Sequence, residues 1–244
     1  MPTYAIFRRG AYHLRNALVD LLFPPQCVHC GAYGAFFCAA CAQQVEPVGS
    51  VLCECCGRPQ PKPGTKCAQC QQQPAMLLDK VRIAALHTSP LREAIHALKY
   101  EQRPELAEAL ARYLIALVQQ SPQGALLCAV DAVAPVPLYH ERQRERGYNQ
   151  SELLASAFCR GVQLPVRSNW LTRQRSTQSQ VGLSAAERRQ NVQNAFVAVP
   201  GVKGQRILLI DDVYTTGATM RACAQAALHA GAQAVYGLAL ACPW

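Results

Sequence analysis

Two carboxylates stand side by side at Asp211 and Asp212, between the apolar run Ile207, Leu208, Leu209, Ile210 and the segment VYTTGAT that covers 213–219. A short, wholly apolar run predicts a strand buried on both faces, here 206–210. Carboxylates at the carboxyl end of such a strand lie where open α/β sheets hold their ligands. Thr215, Thr216, Gly217, Ala218 and Thr219 include small residues that let the backbone approach an anion closely. Their N–H groups, the threonine hydroxyls and the N-terminus of a helix predicted over 219–230 can all donate to a phosphate. The carboxylates would repel that phosphate, so they need a donor of their own, and neighbouring ribose hydroxyls are such donors. The pattern therefore predicts a site for a phosphorylated ribose. A Walker-type loop is disfavoured because no Gly-Lys-Ser/Thr follows. A bare strand–turn–helix without a ligand gives no reason for the paired carboxylates.

The second chemical pattern is in the cysteines. The chain has 13, and nine lie between Cys27 and Cys70. Four CxxC pairs stand out: Cys27 with Cys30, Cys38 with Cys41, Cys53 with Cys56, and Cys67 with Cys70. A CxxC turn puts two thiolates on one side of a tight loop, and two such turns complete a tetrahedral shell. The pairs thus predict two structural zinc ions, since four thiolates leave no open position for chemistry. The simplest pairing is sequential, 27/30/38/41 and 53/56/67/70, with a cross-braced pairing left open. Cys55 reads as a bystander. An iron–sulfur cluster ranks below zinc because the layout is a ribbon and not a ferredoxin run. A redox dithiol needs one pair, not four. Cys128, Cys159, Cys223 and Cys242 sit singly in apolar contexts and read as core thiols.

Arg142, Arg144 and Arg146 follow a strand predicted over 129–134 and a Pro-Val-Pro turn, which puts them at the same carboxyl edge. Arginines there can hold a pyrophosphate bidentately, with Gly147, Asn149 and Gln150 adding polar contacts. Glu141 and Glu145 interleave with them, so a solvated helix face is the competing reading. Arg173, Arg175, Thr177 and Gln180 fall in a polar stretch, 170–191, read as a loop before a helix capped at Ser184. Arg188 and Arg189 on that helix are either surface charge or a basic track toward nucleic acid.

These residues need a scaffold, and apolar patterning predicts an α/β domain with a mostly parallel sheet over 78–244. Strands are expected at 81–87, 129–134, 164–166, 196–199, 206–210 and 234–241. Helices are expected at 91–100, with Ser89 as cap and Pro90 at the first position, then from Pro104 to about 120, over 141–160 with a break at Gly147, and over 219–230. Residues 1–24 read as an amphipathic helix, broken by Arg15 and Asp20, and residues 25–75 as the cysteine-rich unit. The formal net charge of +9 and pI near 9.0 are compatible with ordinary solubility or an anionic partner, phosphate-rich or nucleic acid. No segment reaches the ~18 consecutive apolar residues that a membrane span requires, and no secretion signal is evident. The expectation is a cytoplasmic protein without membrane insertion.

DDVYTTGAT resembles the phosphoribosyl pyrophosphate motif of the phosphoribosyltransferases. By that resemblance, Asp211 and Asp212 would face the ribose 2- and 3-hydroxyls, and Thr215, Thr216, Gly217 and Thr219 would bind the 5-phosphate. The loop carrying Arg173 would close over the reacting sugar, and magnesium would bridge pyrophosphate and ribose hydroxyls. The CxxC pairs, Leu98-Lys99-Tyr100, VAPVP at 133–137, HERQRERGYNQSELLA and RQRSTQSQVGLSAAERRQNVQNAF complete an arrangement similar to the ComF family of competence-associated proteins. That resemblance implies a double zinc ribbon joined to a phosphoribosyltransferase-like domain. It also implies a role in natural transformation or DNA utilisation, with single-stranded DNA and DNA-uptake or DNA-processing proteins as partners. A nucleobase-salvage transferase and a non-catalytic phosphoribosyl pyrophosphate sensor are the alternatives. No general base emerges: His87, His96, His140 and His229 have no evident partner in the sequence.

Overall fold

The computed structural model describes residues 24–62, 64–71, 77–120, 127, 129–175 and 194–244. Residues 1–23 of the helix expected over 1–24, together with Cys128, Thr177, Gln180, Ser184, Arg188 and Arg189, lie outside the described residues.

Four parallel strands form the main sheet: β1 (Lys80–Leu86), β2 (Ala132–Pro135), β5 (Arg206–Val213) and β6 (Ala234–Cys242), in the order β1-β6-β5-β2. Ile207, Leu208, Leu209 and Ile210 of β5 are all fully buried, as an inner strand covered on both faces requires. Leu208 and Ile210 point into one core, with Leu91, Leu98, Leu110, Leu154 and Phe158. Those residues come from α3 (Leu91–Tyr100), α4 (Leu106–Gln120) and α6 (Gln150–Val162). Ile207 and Leu209 point into the opposite core, which is closed by α7 (Ala218–His229) and by a two-stranded antiparallel unit of β3 (Leu171–Arg173) and β4 (Phe196–Ala198). The short helix α5 (His140–Arg146) follows β2 at the carboxyl edge.

The cysteine-rich unit wraps the β1 edge. An open strand edge invites pairing with other chains, and here the segment between the two halves of the unit occupies it. Leu86 N–H donates to Glu46 O at 2.8 Å, Pro47 bridges Ala85 in antiparallel sense, and Val48 N–H donates to Ala84 O at 3.4 Å. The first half, with the short helix α1 (Ala39–Ala42), contributes Cys27, Phe37 and Cys41 to the helix-rich core, and Tyr113 Oη donates to Ala42 O at 2.9 Å. The second half, with α2 (Ala68–Gln71), docks on the start of β1 through Val81 N–H to Cys55 O at 2.6 Å.

The expected α/β architecture and cysteine-rich unit are both present, and the elements differ from expectation in detail. β5 runs three residues beyond Ile210, because Asp211 and Val213 pair with Ala239 and Ala241 of β6. Pro90, not Ser89, takes the cap position of α3, and α4 starts at Leu106 rather than Pro104. The second predicted strand shifts to Ala132–Pro135, and 164–166 contributes only a bridge from Val166 to Val133. The stretch expected as a loop from 170 begins as strand β3, because it finds β4 as a partner. Gly147 ends α5 in the left-handed region at φ 80°, as the expected break. Among the described residues no helix is long and apolar enough to cross a membrane.

Gly57 marks how closely the second half seats on the sheet. Its φ is +70°, and a Cβ there would lie 2.8 Å from Val81 O. Gly57→Ala is expected to cost about 2 kcal/mol or more through left-handed strain and backbone collision. Urea denaturation checks this: an unchanged midpoint would contradict the tight docking.

Candidate ligand and metal sites

The carboxyl ends of the parallel strands converge on Asp211 and Asp212. Asp211 Oδ1 accepts from Ser151 Oγ at 3.0 Å and from Asp212 N–H at 2.9 Å. Asp212 is buried; its Oδ1 accepts from Val213 N–H at 2.6 Å and its Oδ2 is 2.9 Å from Lys99 Nζ. Burial, then the charge of Asp212, pushes the Asp211 carboxyl up to about 7, against the pull of Lys99, the Asp212 amide and Ser151. His87, at the end of β1, belongs to the same electrostatic neighbourhood. Burial and the Lys99 charge hold its imidazole below the usual value, opposed by Asp212.

Lys99 and Ser151 were not among the expected site residues. Lys99 stands next to Leu98 on the last turn of α3, whose buried face carries Leu91, Ala94, Ile95 and Leu98. The available signal for Lys99 was its place in the segment Leu98-Lys99-Tyr100, one of those that carry the family resemblance. Ser151 is fully buried in the first turn of α6, one residue past the buried Gln150. Asn149 caps that helix by accepting from Ser151 N–H at 3.0 Å, and its Nδ2 donates to Val136 O at 3.1 Å, which ties α6 to the turn after β2.

The loop after β5 is shaped by what lies beneath it. Gly217 caps α7 at φ +72°, and a Cβ there would fall 2.2 Å from Tyr214 Oη. Tyr214 is buried and meets Trp244 edge-on, with ring centroids 6.3 Å apart. Thr216 Oγ1 accepts from Ala218 N–H at 3.3 Å, Thr216 O from Arg221 Nη2 at 2.7 Å, and Thr215 O from Trp244 Nε1 at 3.4 Å. Both carbonyls are thus engaged by side-chain donors, and the Ala218 N–H by the Thr216 hydroxyl.

The arginines divide. Arg146 donates to Gln150 Oε1 at 2.8 Å and lies 4.8 Å over the Tyr100 ring, so its fork is already engaged. Arg144 is exposed on α5. Arg173 sits on β3, 5.5 Å over the Phe196 ring; burial lowers its guanidinium pKa, Arg142 lowers it further, and Asp211 opposes both. Arg173 is thus within electrostatic reach of both Asp211 and Arg142.

The eight CxxC cysteines form two groups in sequential order, Cys27, Cys30, Cys38, Cys41 and Cys53, Cys56, Cys67, Cys70, with the sulfurs of each within 4.8 Å of one another. Tetrahedral zinc with Zn–S of about 2.3 Å separates its sulfurs by about 3.8 Å. The Cys27–Cys41, Cys30–Cys38 and Cys56–Cys67 sulfurs are 3.7, 3.6 and 3.7 Å apart, so both groups fit zinc. Burial pushes the Cys27 thiol up, but backbone N–H donors of Cys30, Cys38 and His29 outweigh it and bring it down to about 6. Burial likewise opposes N–H donors of Cys67, Cys56 and Cys55 at Cys53, which also falls to about 6. Buried Cys55 stays outside the sulfur group, its carbonyl engaged by β1. Arg82, also buried, donates from Nη1 to Glu54 O at 3.2 Å; burial disfavours its charge, which the nearby Cys53, Cys55 and Cys56 sulfurs support.

A sequence profile of the double zinc ribbon domain matches residues 18–71. The chain is 37% identical over 198 residues to the DNA utilization protein YhgH of Salmonella typhimurium, covering 81% of this chain and 86% of that protein. It is 33% identical over 226 residues to competence protein F of Haemophilus influenzae, covering 88% and 97%. The chain belongs to the ComF family of competence and DNA-utilisation proteins. Competence protein ComFC of Bacillus subtilis, another ComF relative, is 25% identical over 203 residues, covering 80% and 78%. Among solved structures, the glutamine phosphoribosylpyrophosphate amidotransferase of B. subtilis aligns with a TM-score of 0.41 at 21% identity, over 60% of this chain and 30% of that one. The hypoxanthine phosphoribosyltransferase of Trypanosoma cruzi aligns with a TM-score of 0.35 at 12% identity, over 57% and 74%.

Two measurements test these sites of the ComF chain. Elemental analysis of purified protein is expected to find two zinc ions per chain, and one after Cys30→Ala or Cys70→Ala; metal-free protein would contradict both sites. The Asp211 carboxyl binds its proton more tightly folded, near 7, than at its ordinary value of 3.8. The folded state then holds the extra proton between about pH 4 and 7, so stability falls as pH rises through that window. Asp211→Asn keeps an acceptor for Ser151 and removes this loss. Its melting temperature should match the parent near pH 4 and exceed it at pH 8, by about 2–4 °C per kcal/mol recovered; a pH-independent difference would refute the assignment.

Proposed function

We propose that this chain binds phosphoribosyl pyrophosphate at the carboxyl edge of β5 and uses that site in DNA uptake or DNA utilisation, with single-stranded DNA as a partner. The observation that carries the reading is the pair Asp211 and Asp212, each held at a fixed geometry, directly before a loop whose carbonyls are tied back by Trp244 and Arg221. Asp211 and Asp212 take the ribose 2- and 3-hydroxyls. Thr215, Thr216, Gly217, Ala218 and Thr219 take the 5-phosphate, and Arg142 and Arg173, with Arg144 and Arg146 on the same edge, take the pyrophosphate. Two carboxylates with one ammonium, that of Lys99, in direct contact among the described residues suit a ligand that arrives with a cation, and magnesium bound to the pyrophosphate supplies that charge. Lys99, Ser151 and the loop amides orient the sugar and the phosphate.

In this reading residues 78–244 are the phosphoribosyltransferase-like unit and 25–75 the double zinc ribbon, in a cytoplasmic protein. The net charge of +9 and the ribbon support an anionic macromolecular partner, and the relatives are named for DNA utilisation and competence.

Calorimetric titration of the full chain with phosphoribosyl pyrophosphate and magnesium is expected to give one site per chain. Asp211→Asn plus Asp212→Asn should weaken it about 100-fold or more, two charge-assisted hydrogen bonds being lost; an unaffected affinity would reject the site. Single-stranded DNA should shift the protein's electrophoretic mobility at low salt and lose affinity as salt rises. Absence of binding at low salt would remove the direct DNA role.

A further inference from the structure

The second cysteine group does not stand apart from the loop after β5. A small cavity between them is lined by Cys56, Cys70, Leu78, Val81, Tyr214 and Arg221. Two routes of contact cross this junction. On one, the Arg58 guanidinium, directly after the Cys56-Gly57 turn, lies 5.1 Å over the Trp244 ring, and Trp244 Nε1 donates to Thr215 O at 3.4 Å. On the other, Arg221 lines the cavity beside the two cysteines and donates from Nη2 to Thr216 O at 2.7 Å. Tyr214 fills the space between, buried under Gly217 with its ring against Trp244. The Cys53–Arg58 turn is itself fixed, by Cys53 N–H to Arg58 O at 2.7 Å and by Val81 N–H to Cys55 O at 2.6 Å.

We propose that the second zinc ribbon is the back support of the phosphate loop, with Arg58, Trp244 and Arg221 as positioning residues that couple metal at Cys53, Cys56, Cys67 and Cys70 to ligand binding at 215–219. This rests on the reading of the loop as a phosphoribosyl pyrophosphate site. The physical basis is that backbone amides hold an anion only when their carbonyls point away from it. The carbonyls of Thr215 and Thr216 are turned away by donors seated against the ribbon. Zinc fixes the fold of a ribbon this small, so losing it removes the wall on which Arg58 and Arg221 rest. The first ribbon packs into the opposite core and has no such route to the loop among the described residues.

Coupling between two binding sites is reciprocal: a factor by which zinc strengthens ligand binding is the factor by which ligand strengthens zinc retention. The test uses the zinc-loaded full chain, the parent beside Arg58→Met, Arg221→Met and Trp244→Phe, none of which removes a zinc ligand or a carboxylate. Calorimetry with phosphoribosyl pyrophosphate and magnesium should show about 5- to 30-fold weaker binding for Arg221→Met and Trp244→Phe, and a smaller loss of about 2- to 5-fold for Arg58→Met. Zinc release to a chromophoric chelator supplies the second readout. With saturating phosphoribosyl pyrophosphate and magnesium, one of the two zinc ions in the parent should need several-fold more chelator, and Arg221→Met should abolish that protection. Parent-like affinity in all three variants, or release of both ions unaffected by the ligand, would overturn the coupling while leaving the site intact. A parent that binds no phosphoribosyl pyrophosphate would overturn the site reading, and this inference with it.

Discussion

Two adjacent carboxylates at the inner end of a buried strand repel each other, and the arrangement around them answers that repulsion. Asp212 has the Lys99 ammonium at 2.9 Å, while Asp211, with a hydroxyl and an amide as donors, is pushed up to about 7. In low-dielectric surroundings such a pair cannot stay doubly charged without nearby positive charge. The apolar packing of α3 and α6 brings Lys99 and Ser151 to the end of β5. The same imbalance makes the edge receptive to a ligand that carries both hydroxyl donors and a cation.

The cysteine-rich unit serves the same edge from behind. Its central segment covers β1, its first half joins the helix-rich core, and its second half reaches the residues that hold the loop carbonyls. A ribbon of this size has too little apolar content to fold unaided, so metal and sheet stabilise it together. The unit is in this sense part of the scaffold of the site and not an appendage to it.

Much of this was legible in the sequence. The apolar run 207–210 announced a strand buried on both faces, and the CxxC spacings announced two groups of four sulfurs, because each depends on local residue type. What was hidden depends on long-range partners. Asp211 and Asp212 are poor strand formers, yet β5 continues through them because β6 pairs with it. Arg173 stands in a polar, strand-poor stretch but joins β3 because β4 lies alongside. Lys99 and Ser151 meet the carboxylates across sequence separations over which no local pattern operates. Trp244, which reaches the loop by a hydrogen bond to Thr215 O, and Arg58, which lies over the Trp244 ring, carry no motif at all.

The most direct test of the central claim is a crystal structure of the full chain grown with phosphoribosyl pyrophosphate and magnesium. The account predicts the ribose hydroxyls against Asp211 and Asp212, the 5-phosphate on the amides of 215–219 with Thr215 O and Thr216 O still turned away, and the pyrophosphate toward Arg142 and Arg173. A ligand bound elsewhere on the chain, or one whose phosphate avoids the loop, would contradict it.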